Sequence, residues 1–320
     1  MEARYLIPDD YAADPAVHVF NGKTWIYPSH DRDAGIPEQD DGSHFDMVDY
    51  HAYSIEGDPM TGKVTDHGVI LDVKDVPWAE RQMWDSDVAE KNGKYYLFFS
   101  AKAYDGTFHI GVAVSDRPDG PFKAMPEPIA GSYSIDPCVF KGPDGAYYIA
   151  FGGLWGGQLQ RYRGNKAVYT AAEDTLPDGY RCALEPAEDE PALCAKIARL
   201  SDDMTSFAEA PRDILIVDEN GEPLKAKDHN RRFFEASWLS YRDGKFRFSY
   251  STGDTHLICE AVSDGVYGPY KFDKVLLQPQ IGWTTHHCIT EIDGKWYLFH
   301  HDSAPSGGKT WLRSLKVKPL

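Results

Sequence analysis

One motif recurs through this chain, and it leaves few folds open. It reads as an acidic residue, a short apolar run, a glycine turn and an aromatic strand. Residues 13–31, ADPAVHVFNGKTWIYPSHD, carry the first copy. There Val17 and Val19 alternate before Asn21-Gly22, and Trp25-Ile26-Tyr27 follow, the pattern of a tight β-hairpin. A second copy runs from Asp136-Pro137 through Asp144-Gly145 to Tyr147-Tyr148, and a third from Glu235 through Asp243-Gly244 to Phe246. The acid precedes the first strand aromatic by the same eleven positions in each: Asp14 and Trp25, Asp136 and Tyr147, Glu235 and Phe246. Three carboxylates therefore hold equivalent places in three copies of one unit.

The aromatic strand itself occurs five times, at Trp25, Tyr95, Tyr147, Phe246 and Trp296, each time behind an Asn-Gly or Asp-Gly turn. Both residues of such a turn tolerate positive φ, so each is a strong hairpin signal. Third strands follow, among them residues 51–55, 109–115, 194–201, 256–263 and 311–317. Helical periodicity is nearly absent. About four antiparallel strands in each of five repeats predict an all-β fold, a five-bladed β-propeller occupying residues 1–320 as one domain. A sandwich also yields turn signals but not this repeated unit. Two segments break the pattern, 161–192 and 216–232, and both read as insertions able to wall a pocket.

Composition excludes several roles. A formal net charge of −17 argues against nucleic acid or an anionic membrane surface as partner. No stretch of 18 apolar residues exists to span a bilayer. The start lacks a basic then apolar leader pattern. The five cysteines, Cys138, Cys182, Cys194, Cys259 and Cys288, have no CxxC spacing. Reduced thiols in a cytoplasmic protein are the expectation, with a Cys182–Cys194 bridge the less favoured option.

In a propeller the first strand of each blade lines the central channel, so equivalent positions converge on the axis. Asp14, Asp136 and Glu235 are then three carboxylates around one funnel. Like charges this close cannot all stay ionised, which is the setting for general acid–base chemistry. Blade two presents Trp84-Asp85-Ser86 at the matching place, and blade five Trp283-Thr284-Thr285-His286-His287. Acids for chemistry, an indole for stacking and polar groups for hydroxyls suit a sugar.

On these residues the chain resembles glycoside hydrolase family 43: Ala13-Asp14-Pro15, Ser134-Ile135-Asp136-Pro137, Phe234-Glu235-Ala236-Ser237 and the late His286-His287. The resemblance spans nearly the whole chain. It implies Asp14 as the general base that activates water, Glu235 as the general acid, and Asp136 as the group that raises the Glu235 pKa and orients it. It implies inversion in a single displacement, which needs roughly 6.5–9.5 Å between base and acid carboxyl groups. It further implies a calcium ion in the channel with His287, or else His286, beside it, although calcium prefers oxygen and water would complete its shell. No organic cofactor is implied. Arg313 matches a late arginine that reaches a substrate hydroxyl or the base. Trp84, His30, Asp31, Phe45 and His256 are further candidates for the pocket. One departure stands out: Asp85-Ser86 occupies a place where many family members have Ala-Pro.

The expected activity is an exo-acting, inverting hydrolase that removes terminal α-L-arabinofuranose from plant-polysaccharide oligosaccharides. β-D-Xylosidase or a bifunctional enzyme is the close alternative, with endo-arabinanase behind it. Two other classes stay open, a sugar-binding propeller without catalysis and a retaining fructan-acting relative. Hydrolysis of aryl glycosides separates the first, and the anomer formed first separates the second.

Overall fold

The computed structural model describes residues 2–39, 41–168 and 184–320. Its strands fall into five blades. Blade one contains Ala12–Phe20, Lys23–His30, Asp49–Ile55 and Val64–Asp72, each antiparallel to the next. Blade two is built on Ser86–Lys91, Lys94–Ala103, Phe108–Ser115 and Lys123–Ala124, with Ala79–Arg81 added beside the second of these. Blade three runs Cys138–Lys141, Tyr147–Phe151, Lys196–Arg199 and Arg212–Asp213. Blade four runs Glu235–Arg242, Lys245–Ser251, Ile258–Ser263 and Tyr270–Leu277, with Ile216–Val217 pairing parallel on its outer edge. Blade five has His287–Ile292, Lys295–Asp302 and Ser314–Pro319.

The fourth strand of blade five comes from the other end of the chain. Arg4–Tyr5 pairs with Ser314–Pro319, Arg4 opposite Val317 and Tyr5 opposite Lys316. Arg4 also donates to the Pro59 and Gly62 carbonyls of blade one, each at 2.8 Å. Two residues thus pair the first stretch of chain with the last blade and tie that blade to its neighbour, removing an open edge. Their pattern is too short to read as a strand in sequence.

The turns explain the hairpins. Asn21-Gly22, Asn92-Gly93, Asp243-Gly244 and Asp293-Gly294 all have positive φ at both residues, the type I′ requirement. The third copy differs: Gly145 has φ of 82° while Asp144 does not share the left-handed region. Its extra residue, Pro143, makes a longer turn that ends on glycine. Because each blade is covered by its neighbours on both faces, its middle strand is buried almost throughout. Tyr95 and Leu97 to Ala101 are buried in blade two, as are Tyr147 to Phe151 in blade three. Aromatic rings such as Tyr27, Tyr50, Phe98, Phe99 and Tyr250 fill the wedges between sheets. Truncating one of these to alanine costs about 3–5 kcal/mol.

The insertion between the second and third strands of blade three folds, where described, into two single 3-10 turns, Trp155–Gly157 and Leu159–Arg161, and a small hairpin of Tyr162–Arg163 with Lys166–Ala167. Residues 169–183, Cys182 and any bridge from it among them, lie outside the described residues. Cys194 is a free thiol.

Candidate active site

The inner strands deliver their acids through irregular backbone. Asp14 sits at a register shift in the blade-one hairpin, between Ala13 and Ala16, with φ of 48°. The pairing of Glu235 with blade four's second strand is broken in the same way before Trp238, and Ala236 has φ of 63°. Asp136 has φ of 60° just before its strand begins. Such bulges turn a side chain out of the regular pleat, and left-handed backbone at a non-glycine residue persists only where the surroundings impose it. Here they aim three carboxyl groups into one cavity of about 390 Å³, within the ~300–1,000 Å³ usual for ligand pockets.

Asp14 is buried and fully engaged. Arg313 Nη1 donates to its Oδ1 at 2.9 Å and Ser29 Oγ to its Oδ2 at 2.7 Å. Burial pushes its pKa up, but the groups around it, the Arg313 guanidinium foremost and the Ser29 hydroxyl among them, together outweigh this and hold it down to about 2. Arg313 is itself fixed from behind: Nε and Nη2 form a fork onto Asp31, at 2.8 and 2.7 Å. His301 adds position rather than charge. Its Nδ1 accepts the Asp14 backbone N–H at 3.1 Å, which leaves the proton on Nε2, facing the Thr284 carbonyl at 3.1 Å. The ring is neutral in that tautomer, and burial holds its pKa down to about 3.

Glu235 is the opposite case. Burial first, and the neighbouring Asp136 second, push its pKa well above the ordinary value. Asp136 is raised too, by burial and by Asp85. Its Oδ2 accepts the Ala236 N–H at 2.6 Å, which fixes the peptide following Glu235. Asp85, raised to about 7 chiefly by burial, accepts the Asp136 backbone N–H and the Ser100 hydroxyl on Oδ1, both at 3.0 Å. The pocket thus holds one carboxylate kept ionised by a guanidinium and one carboxyl kept protonated by burial. Divergence of this kind separates a base from an acid.

Trp84, Phe45, His286 and Arg313 border this pocket as expected. Trp84 is tied by Nε1 to the Phe45 carbonyl at 2.7 Å, its ring edge-on to Phe45. Four expectations are corrected. His30 follows Ser29 on one strand, so when Ser29 faces Asp14 its neighbour faces away; it lies between Asp49 and Asp10 instead. Asp31 is buried behind Arg313 and acts through it. His256 packs edge-on against Trp283, outside the pocket wall. His287 alternates with His286 and points between blades, its Nε2 2.6 Å from Ser249 Oγ. Burial keeps that ring neutral.

Of the outer wall, sequence reasoning named Trp283 and missed Trp155. Trp155 and Trp283 stand 5.4 Å apart at the pocket, against Phe234. The signal was the Gly152-Gly153-Leu154-Trp155-Gly156-Gly157 run. A Cβ on Gly153 or Gly157 would strike Ile135 within 2.8 Å, and one on Gly156 would lie 3.2 Å from Trp84. From the other side Gly42 packs on the same indole, where a Cβ would come within 2.9 Å. These glycines let two loops close on Trp84.

Asp85, Asp136 and His286 also form a set able to hold a cation, their ligand atoms all within 4.8 Å of one another. The His286 Nε2 is buried and unpartnered, 3.8 Å from Asp85 and 4.0 Å from Asp136. Two carboxylates flanking an orphaned nitrogen fit a divalent ion, with oxygen as the main donor. His286, not His287, belongs to that set.

Residues 61–176 match the profile of Glycosyl hydrolases family 43. A "Xylosidase/arabinosidase" of Bacteroides ovatus is 59% identical over 100% of this chain and 94% of its own length. A "Beta-xylosidase" of Xylanibacter ruminicola is 55% identical over 100% of this chain and 96% of its own. Among solved structures, a GH43 β-xylosidase/α-arabinofuranosidase from a compost microbial metagenome, in complex with xylotriose and described as a calcium-free form, superposes with a TM-score of 0.94. It is 55% identical and covers 100% of this chain and 94% of that one. With the blades, the acids and these relatives in agreement, the chain is a glycoside hydrolase and belongs to glycoside hydrolase family 43.

Proposed function

We propose that this protein is an exo-acting, inverting glycosidase that releases single pentosyl residues, β-D-xylosyl and α-L-arabinofuranosyl, from the ends of hemicellulose-derived oligosaccharides. The observation that carries it is the split of the carboxyl groups, Asp14 ionised against Arg313 and Glu235 protonated beside Asp136. The relatives' names set xylose beside arabinose, so the expectation of arabinofuranose first gives way to a dual reading. The two loops that meet on Trp84 favour a pocket over a groove, and hence exo over endo action.

The terminal sugar enters against Trp84 and Phe45. Arg313 and Ser29 occupy one lone pair on each oxygen of Asp14, leaving capacity for a water proton. That water attacks the anomeric carbon from the Asp14 side and gives its proton to Asp14. As the bond from carbon to the glycosidic oxygen breaks, Glu235 passes its proton to that oxygen. The sugar leaves with inverted configuration, Asp14 protonated and Glu235 ionised, and exchange with solvent resets both. Asp136 keeps Glu235 in its acid form and fixes its peptide. Asp85, Asp136 and His286 would hold a calcium ion, which would supply positive charge beside Asp136.

A sugar-binding propeller without catalysis has no use for an ionised and a protonated carboxyl in one pocket. The test is turnover of aryl β-D-xyloside and aryl α-L-arabinofuranoside by the wild type, D14A and E235A. Cleavage of both by the wild type, with D14A reduced about 10²–10⁴-fold, is expected. Turnover of neither substrate sinks the enzyme reading, and cleavage of only one sinks the dual reading.

A further inference from the structure

Away from the pocket, blade one gathers a second set of histidines and acids. His30 ends one strand, while Asp49 and His51 sit two apart on the next and so share a face. The ligand atoms of the three all lie within 4.8 Å of one another. Asp10 completes the ring at 3.2 Å from His30 Nε2, and Asp49 lies 2.5 Å from His30 Nδ1. Both nitrogens of His30 therefore face carboxylates, and the ring must carry two protons to satisfy them.

His51 is held differently. Its Nδ1–H donates to Asp66 at 3.0 Å, and Asp66 is anchored in turn by the Gly68 N–H at 2.7 Å. That bond puts the lone pair on His51 Nε2. A carboxylate fixing one nitrogen so that the other is free to bind is how metal-ligating histidines are usually oriented. The strand pairing brings the same residues together. Lys23–His30 and Asp49–Ile55 keep one register, Ser29 opposite Tyr50, so His30 lies opposite Asp49 and diagonal to His51 on one face. The His51 ring is 4.1 Å from that of His30. Asp10, Asp49 and Asp66 supply three negative charges against one imidazolium. The side chains of His30, Asp49 and His51 are 21%, 18% and 13% exposed, so an ion can reach them from solvent.

We propose that His30, Asp49 and His51, with Asp10 at the rim, form a binding site for a divalent transition-metal ion of the Zn²⁺ class, separate from the sugar pocket. Two imidazoles and carboxylate oxygen are a donor set for zinc or copper rather than calcium. Ligands about 2.0–2.2 Å from such an ion stand roughly 3.3 Å from one another. An ion that displaces the His30 proton facing Asp49 would take His30, Asp49 and His51, with water as the fourth ligand, while Asp10 holds the other His30 nitrogen.

The experiment uses tag-free, chelator-stripped H286A protein, in which the pocket's own cation set is broken. Calorimetric titration with Zn²⁺ is expected to show one ion per chain, with affinity falling at least tenfold in H286A/H51Q and in H286A/D49N. With one equivalent of Cu²⁺ the EPR spectrum of H286A should show coupling to two imidazole nitrogens, and that of H286A/H51Q to one. The unsubstituted chain gives a second reading, its Zn²⁺ stoichiometry dropping by one with H51Q. Absence of saturable Zn²⁺ binding to H286A overturns the site, and so does binding that neither H51Q nor D49N weakens. A Cu²⁺ spectrum without two nitrogens does the same.

Discussion

At the scale of single residues, the account turns on Arg313. Its guanidinium is what keeps Asp14 ionised in a buried place. Replacing it with glutamine removes the strongest of the groups that oppose burial, so the Asp14 pKa rises and the acid limb of the pH–rate profile moves up, by about 1–3 units. A kcat/KM profile of R313Q against the wild type reads this directly. D31N acts at one remove, since it loosens the fork on Arg313 without touching Asp14. The acid limb should move the same way but less. On the other side of the pocket, D136N removes a carboxyl that raises Glu235, and the alkaline limb should fall to lower pH. The three acids were legible in sequence because the repeat gave each the same offset from its aromatic strand. His30 was misplaced because an adjacent position in sequence is an opposite face in a strand, and Asp31 because Arg313 stands between it and the pocket. His301 went unnoticed because nothing in its surroundings, Trp296 to Ser303, marks its contact with the Asp14 backbone, a partner 287 positions away.

At the scale of elements, the bulges and turns set the register that aims the acids. The hairpins were legible because Asn-Gly and Asp-Gly announce their own backbone. The short strand Arg4–Tyr5 was not, since two residues carry no periodicity and its partner lies at the far end of the chain. Its contribution can be measured. R4A loses two hydrogen bonds to blade one and weakens ring closure. At about 1 kcal/mol per bond, a loss of roughly 2 kcal/mol should appear in guanidinium denaturation, with activity at low temperature little changed. The glycine-rich loop after the second strand of blade three is a second element with a defined demand. G156A puts a methyl group 3.2 Å from Trp84 and 3.1 Å from the Asp41 carbonyl. It should raise KM on aryl xyloside more than it lowers kcat, because it narrows the place where the sugar lies.

At the scale of the whole molecule, blade five buries histidines whose protonation the fold opposes. His300 is held down to about 4 and His301 to about 3, in both cases chiefly by burial. A histidine whose folded pKa lies below its unfolded value of about 6.5 costs stability as pH falls, because only the unfolded chain takes up the proton. Each should contribute a slope of roughly 1.4 kcal/mol per pH unit between about pH 6 and its folded pKa. Denaturation midpoints from pH 7 to 4 should therefore fall steeply, and H300F should flatten the slope by one such increment. The closed ring that buries these groups is the same ring that brings Asp14 and Glu235, from blades one and four, to one pocket. Whether they act as base and acid in one displacement is tested most directly by proton NMR of aryl β-D-xyloside hydrolysis, followed from the first minute. The account predicts α-xylose as the anomer formed first, with the β form growing in only by mutarotation. β-Xylose appearing first would mean retention through a covalent intermediate and would contradict it.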